Sequence, residues 1–144
     1  MASRHASRER ALQMLFQWDQ TRETTEKVIA GYWDGLASED WPSRLVPDLF
    51  ANELLSGAVS RAAEADVLIR AHAEHWRLER MAAVDRNILR LAVFELLEKK
   101  TPAPVVIDEA LEIARRFSGK ESVQFINGVL DAIHKGLPSC VREP

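Results

Sequence analysis

The residues best suited to metal or phosphate chemistry lack the partners that such chemistry needs. Of the four histidines, only His72 and His75 share a predicted helix face, and no cysteine pair or clear carboxylate partner accompanies them. A Gly-Lys pair at Gly119 resembles part of a phosphate-binding loop. The upstream glycine and the preceding strand of such a loop are missing. The sequence therefore predicts no bound metal and no nucleotide cofactor.

Carboxylates on one predicted helix could suggest acid–base catalysis, since Asp108, Glu109 and Glu112 lie within five residues. Glu112 stands four residues before Arg116, a spacing that favours an ion pair on the solvent side. The sequence also predicts a capping box at the start of the last helix. In it the Ser118 side chain caps the helix, and the Glu121 side chain accepts a hydrogen bond from the Ser118 backbone amide. No nucleophile, base and oxyanion donor come together. We interpret the protein as a binding protein and not an enzyme.

The charges are unevenly distributed along the chain. Residues 1–17 contain three bases, Arg4, Arg8 and Arg10, and one acid, whereas residues 18–66 contain four bases and ten acids. The formal net charge of −3 excludes a uniformly basic nucleic-acid coat but allows a local basic patch. The patch predicts either a polyanion site at the N-terminus or a basic terminus that binds nothing.

Apolar residues recur with the helical period in every long segment, and no alternating strand pattern is found. The sequence therefore predicts an all-α fold, a compact bundle of about seven helices in one domain of residues 1–144. We expect an N-terminal helical subdomain at about 1–75 and a C-terminal one at about 76–136. The predicted helices cover about 7–21, 25–36, a segment from 43 or 47 to 62, a continuation or new helix from 66, then 78–99, 104–117 and 122–135.

The composition indicates a cytoplasmic protein. The single cysteine, Cys140, excludes an internal disulfide framework. No apolar run approaches the roughly 20 residues that cross a bilayer, which predicts no membrane partner. The N-terminus also lacks the apolar core of a signal peptide.

Three segments together resemble the NusB family of bacterial transcription antitermination factors, and the resemblance covers nearly the whole chain. The segments are Arg8–Trp18, Arg80–Leu96, and Pro104–Ala114 followed by Phe117, Ser122 and Phe125–Asp131. This resemblance implies an all-helical protein of two small bundles. It also implies that the protein pairs with NusE, a small-subunit ribosomal protein, and binds the boxA element of ribosomal RNA leader transcripts. The complex then joins RNA polymerase and suppresses premature termination.

The resemblance implies two groups of RNA-binding residues. Basic side chains and amides near the first helix can face phosphate, while single-stranded bases can stack on an aromatic ring. Glu121 matches a family position at which an acid weakens RNA binding. Ala6 and Ser7 replace bases common in relatives, so fewer cations are available here. The first group is Arg4, His5, Arg8 and Gln13, and the second is Phe117, Lys120, Glu121 and Ser122.

The resemblance also places Phe16 and Asp85 at the NusE contact. An aromatic anchor beside a charge is typical of protein interfaces. The alternatives are core packing for Phe16 and for Phe117, and a helix-surface pair with Arg86 or Asn87 for Asp85. A homodimer is possible, since some family members are dimers. A helical adaptor that binds only proteins is the alternative function. A relic of a methyltransferase domain ranks last, because no cofactor motif is present.

Overall fold

The structure, a computed structural model, describes residues 3–39, 48–73 and 77–138 of the 144-residue chain. These residues form seven α-helices and a 3-10 turn at Leu78–Arg80, with no strand among them. The predicted all-α fold is confirmed. The helices are α1 (Arg4–Thr21), α2 (Thr25–Glu39), α3 (Leu49–Ser60), α4 (Ala62–His72), α5 (Ala83–Glu98), α6 (Ala103–Phe117) and α7 (Lys120–Gly136).

The chain divides into two compact units, Met1–Ser60 and Arg61–Pro144. In the first unit α1 packs against α2 and α3. The Ser3 hydroxyl accepts a hydrogen bond from the Ala6 amide at 3.0 Å and caps α1, so the helix begins before the predicted residue 7. The core of this unit holds the buried apolar side chains of Ala11, Leu12, Met14, Leu15, Trp18, Val28, Trp33, Ala51, Leu54, Leu55 and Ala58.

Helix α5 is the centre of the second unit, where it packs against α4, α6 and α7. Apolar side chains are buried around its circumference, as expected for a helix enclosed by others. Arg90 is only 3% exposed and donates to both carboxylate oxygens of Asp66 at 2.8 and 3.1 Å, which ties α5 to α4. A third bond runs from Arg90 to the Asn87 side chain at 3.0 Å.

The division between the units falls at residues 60 and 61, whereas the sequence suggested about 75 and 76. The reason is packing, because α4 lies against α5 and α7 and belongs with them. Helix α4 begins at Ala62 rather than near Asp66. Arg61, between α3 and α4, pairs with Glu64 at 3.0 Å and with Glu98 at 3.4 Å.

The predicted start of the helix after residue 77 also differs from the structure. Helix α5 begins at Ala83 and not at Leu78, because Leu78 opens the separate 3-10 turn. The Arg86 guanidinium donates to the carbonyls of Leu78 and Met81 at 3.2 and 3.1 Å and holds this turn in place. Helix α3 begins at Leu49, and the starts predicted at residues 43 and 47 lie outside the described residues.

No helix in the described part of the chain is long and apolar enough to cross a membrane. The same residues contain no group of three histidine, cysteine, aspartate or glutamate side chains that could hold a metal ion. The His72 ring nitrogen Nδ1 lies 3.0 Å from the Leu68 carbonyl oxygen, a contact within its own helix. His75 lies outside the described residues.

Candidate nucleic-acid interface

The first turn of α1 presents an exposed arginine on an aromatic support. The Arg4 guanidinium lies 4.1 Å from the centre of the Phe50 ring, a cation–π distance. The neighbouring His5 ring lies 3.1 Å from the Glu9 carboxylate and is partly exposed. Because stacking restricts the Arg4 side chain while leaving it accessible, a phosphate can reach its guanidinium at a low entropic cost.

Arg8 has a different environment from Arg4. It is only 4% exposed and its guanidinium lies 5.8 Å from the same Phe50 ring. The resemblance implied Arg4, His5, Arg8 and Gln13 as one group of RNA contacts. The structure leaves Arg4 accessible and covers Arg8, which packs at the ring that supports Arg4.

Asp48 directly precedes α3 and accepts hydrogen bonds from side chains of α1. Its carboxylate accepts hydrogen bonds from the Ser7 hydroxyl at 2.6 Å, from Arg10 at 3.0 Å and from the Ala51 amide at 3.1 Å. The last bond caps α3. Burial would raise the pKa of Asp48, but the bonds from Ser7, Ala51 and Arg10 outweigh it, and the pKa is lowered.

This lowered pKa predicts how stability depends on pH. Asp48→Asn keeps a good capping residue but removes the charge, so at pH 7 we expect the free energy of unfolding to fall by about 1 kcal/mol. Since the folded-state pKa lies below the unfolded one, the wild-type advantage is full above the unfolded pKa and disappears as the pH falls through the folded pKa. Urea unfolding of both proteins from about pH 7 to about pH 2.5 measures the difference. A difference in the free energy of unfolding that stays constant over this pH range would contradict a lowered pKa for Asp48.

Gln13 and Phe16 lie three residues apart on α1, on neighbouring positions of its surface. Gln13 is exposed, and its side-chain oxygen accepts a bond from the Tyr32 hydroxyl at 2.7 Å. Burial, the largest contribution, raises the pKa of Tyr32, so this hydroxyl keeps its proton as a donor at neutral pH. Phe16 is 39% exposed, and its predicted alternative role as a core residue is therefore wrong.

The junction of α6 and α7 carries the second predicted group. Phe117, the last residue of α6, is 41% exposed, so it does not complete the core stripe of that helix. The Arg116 guanidinium lies 5.2 Å from the ring centre, and Lys120 and Glu121 are exposed at the start of α7. A groove of about 440 Å³ lies at this junction. It is lined by Arg115, Ser118, Gly119, Lys120, Val123 and Gln124.

Asp85 does not lie on an open helix surface. It is 8% exposed, and its carboxylate accepts hydrogen bonds from the hydroxyls of Ser118 at 2.6 Å and Ser122 at 2.7 Å. The predicted surface pair with a neighbour on its own helix is therefore wrong. The predicted capping box is wrong as well, because Gly119 precedes α7 without a side-chain cap and Ser118 donates to Asp85 instead.

Sequence reasoning missed two contributors to this junction. Arg115 lines the groove and donates to Glu112 at 3.0 Å, whereas the predicted partner of Glu112 was Arg116. Ser118 was predicted to cap a helix, but its hydroxyl donates a hydrogen bond to the Asp85 carboxylate. Two serines on either side of a glycine could have indicated a pair of hydroxyl donors at this junction. Their acceptor, Asp85, lies more than thirty residues earlier in the chain, so the sequence gives no sign of the pairing.

Comparison with known proteins agrees with this arrangement of helices. The family model described as "NusB family" matches residues 5–135. The chain belongs to the NusB family. A NusB transcription antitermination protein from Solibacter usitatus (strain Ellin6076) is 56% identical over 138 residues, which cover 96% of this chain and 92% of that protein.

Solved NusB structures have the same fold. The chain is similar to T. maritima NusB, with a TM-score of 0.77, 36% identity, and coverage of 94% of this chain and 92% of the other. It is also similar to a chain in the crystal structure of antitermination factors NusB and NusE in complex with dsRNA. There the TM-score is 0.78, the identity 25%, and the coverage 93% of this chain and 97% of the other. The predicted family is thereby confirmed.

Proposed function

We propose that this NusB-family chain is a transcription antitermination factor of the bacterial cytoplasm. It binds boxA RNA of ribosomal RNA leader transcripts together with NusE, joins the RNA polymerase antitermination complex and suppresses premature termination. The solved relative that contains NusB, NusE and RNA supports this proposal. So does the 56% identity to a transcription antitermination protein.

The observation that carries the proposal is the exposed Phe117 ring together with the groove that begins at the following residue, Ser118, and is also lined by Arg115 and Lys120. Single-stranded RNA offers bases that stack on aromatic rings and phosphates that attract cations. Phe117 supplies the ring, and Arg115 and Lys120 supply charge along the groove. Glu121 and the partly buried Ser122, in the first turn of α7, border the proposed RNA strip.

The N-terminal unit contributes a second set of RNA contacts to this proposal. Arg4 and His5 face phosphate, Gln13 offers its side-chain amide, and Arg8 acts mainly by packing at the Phe50 ring. For NusE, we propose the exposed Phe16 ring as the anchor. Asp85, the other residue expected at the NusE contact, is 8% exposed and bonded to Ser118 and Ser122, so this proposal assigns it no direct contact with NusE.

A second function, a helical adaptor that binds only proteins, is favoured by one observation. Arg8 is covered and Arg10 is paired with Asp48 at 3.0 Å, so the basic N-terminus offers RNA fewer cations than its sequence suggests. An adaptor would bind NusE through Phe16 and leave RNA unbound. A homodimer could have the same effect by covering α1, which sedimentation at the assay concentration detects.

The decisive experiment titrates labelled boxA RNA with the full chain, with and without NusE, at several salt concentrations. The proposal predicts salt-sensitive binding that NusE tightens. Single-stranded and duplex forms of the same sequence are compared, because the solved relative contains dsRNA. If the chain binds NusE but binds neither the single-stranded nor the duplex RNA, the adaptor is the correct function.

Glu121→Gln is expected to tighten RNA binding. Glu121 is exposed beside Lys120, where its negative charge repels phosphate. Because exposed charge interactions contribute about 0.2–1 kcal/mol, the dissociation constant should fall by up to about fivefold. A gel-shift titration measures the change, with Asp108→Asn, which alters an exposed carboxylate on α6, as the matched control. Unchanged or weaker binding by Glu121→Gln would argue against a phosphate near this position.

A further inference from the structure

The Asp85 carboxylate has both oxygens engaged by one short stretch of chain. One oxygen accepts the Ser118 hydroxyl at 2.6 Å and the other accepts the Ser122 hydroxyl at 2.7 Å. These lengths are typical of charge-assisted bonds from hydroxyls to a carboxylate. With 8% of its surface exposed, the group is well shielded from water, which strengthens such bonds.

The two serines lie on either side of the α6–α7 junction. Ser118 directly follows α6, and Ser122 belongs to the first turn of α7. Asp85 is the third residue of α5, on the central helix of the same unit. A single carboxylate on the most enclosed helix therefore fixes the end of one surface helix relative to the start of the next. Side-chain capping does not fix this junction, because Gly119 supplies no cap.

We propose that Asp85 is a positioning residue for RNA binding, acting through Ser118 and Ser122 on the strip that carries Phe117 and Lys120. This inference rests on the proposed function, and it gives Asp85 a role that does not depend on NusE. Phe117 adjoins one bonded serine, and Lys120 lies between the two. When Asp85 holds both serines, the segment that carries the ring and the ammonium group is held in one arrangement. The strip is then preorganised before RNA arrives.

The test measures boxA RNA binding by the full chain without NusE. Asp85→Ala should weaken binding about tenfold, since it removes two hydrogen bonds to a charged acceptor. The double variant Ser118→Ala/Ser122→Ala should weaken it by a similar factor. All three changes together should cause no further loss, because they remove one coupled unit. Asp85→Asn, which keeps an acceptor oxygen, should restore part of the affinity. Asp108→Ala, an exposed carboxylate on α6, is the control.

A second measurement does not depend on RNA: it is amide hydrogen exchange at Ser118 and Val123, whose amides donate to the carbonyls of Ala114 and Gly119. Exchange there should accelerate in Asp85→Ala and in the double serine variant but not in Asp108→Ala. If Asp85→Ala does not fold, the serine variant decides both readouts. Unchanged exchange, unchanged RNA affinity in a folded variant, or additive losses would overturn the inference. If the wild type binds no RNA at all, the proposed function fails, and the exchange result still shows whether Asp85 orders the junction.

Discussion

Arg90→Ala is expected to lower the free energy of unfolding by about 3–5 kcal/mol, the cost of leaving a shielded charge without its partner. The Arg90 guanidinium is 3% exposed and donates to both oxygens of Asp66 at 2.8 and 3.1 Å. The side chain of Asp66 is 15% exposed, so water can only partly replace the guanidinium. The substitution also removes the bond from Arg90 to the side-chain oxygen of the buried Asn87.

Urea unfolding monitored by helical circular dichroism measures this decrease in stability. The matched control is Arg115→Ala, because the Arg115–Glu112 ion pair has a similar N···O distance of 3.0 Å but its side chains are 58% and 59% exposed. We expect that control to change stability by less than about 1 kcal/mol. Equal decreases in the free energy of unfolding for the two variants would show that burial of the Arg90–Asp66 pair adds nothing to the stability of the second unit.

Phe117→Ala is expected to weaken RNA binding by about 1–3 kcal/mol, the usual contribution of one base stacked on an aromatic ring. The ring is 41% exposed at the end of α6, so it is open to a base. The substitution should affect binding more than folding, since the core of the second unit is formed by other side chains. Fluorescence anisotropy with labelled boxA RNA measures the dissociation constant.

Two further variants separate stacking from a general change in the surface. Phe117→Tyr keeps an aromatic face and should bind RNA almost as well as the wild type. Val105→Ala removes a similarly exposed apolar side chain from the same helix, at 45% exposure, and should bind normally. If Phe117→Tyr weakens binding as much as Phe117→Ala does, stacking on this ring is contradicted.

The helices themselves could be predicted from the sequence because their buried residues repeat with the helical period. Leu130 and Ile133 of α7 and Ala110 and Ala114 of α6 are buried as their spacing indicates. Pro104 lies in the first turn of α6, where a missing amide donor is harmless. Each of these features depends on residues within a few positions of one another.

The polar contacts that shape the candidate interface could not be predicted in this way. Ser7 bonds to Asp48 across 41 positions, and Ser118 bonds to Asp85 across 33. Such pairs have no periodic pattern, and their chemistry also suits local caps, which is how Ser118 was interpreted. Burial of Arg8 follows from the same cause, because the Phe50 ring at which it packs lies on α3.

The central claim is that cationic side chains of this chain hold RNA phosphates, and the salt dependence of binding by Arg4→Ala tests it most directly. Arg4 is exposed and stacked at 4.1 Å on Phe50, and Lys27→Ala, an exposed lysine on α2, is the matched control. With boxA RNA and NusE present, the slope of log affinity against log salt should flatten by about 0.7, the value for one phosphate of a single strand. Lys27→Ala should keep the wild-type slope. If Arg4→Ala also keeps the wild-type slope, the claim is contradicted.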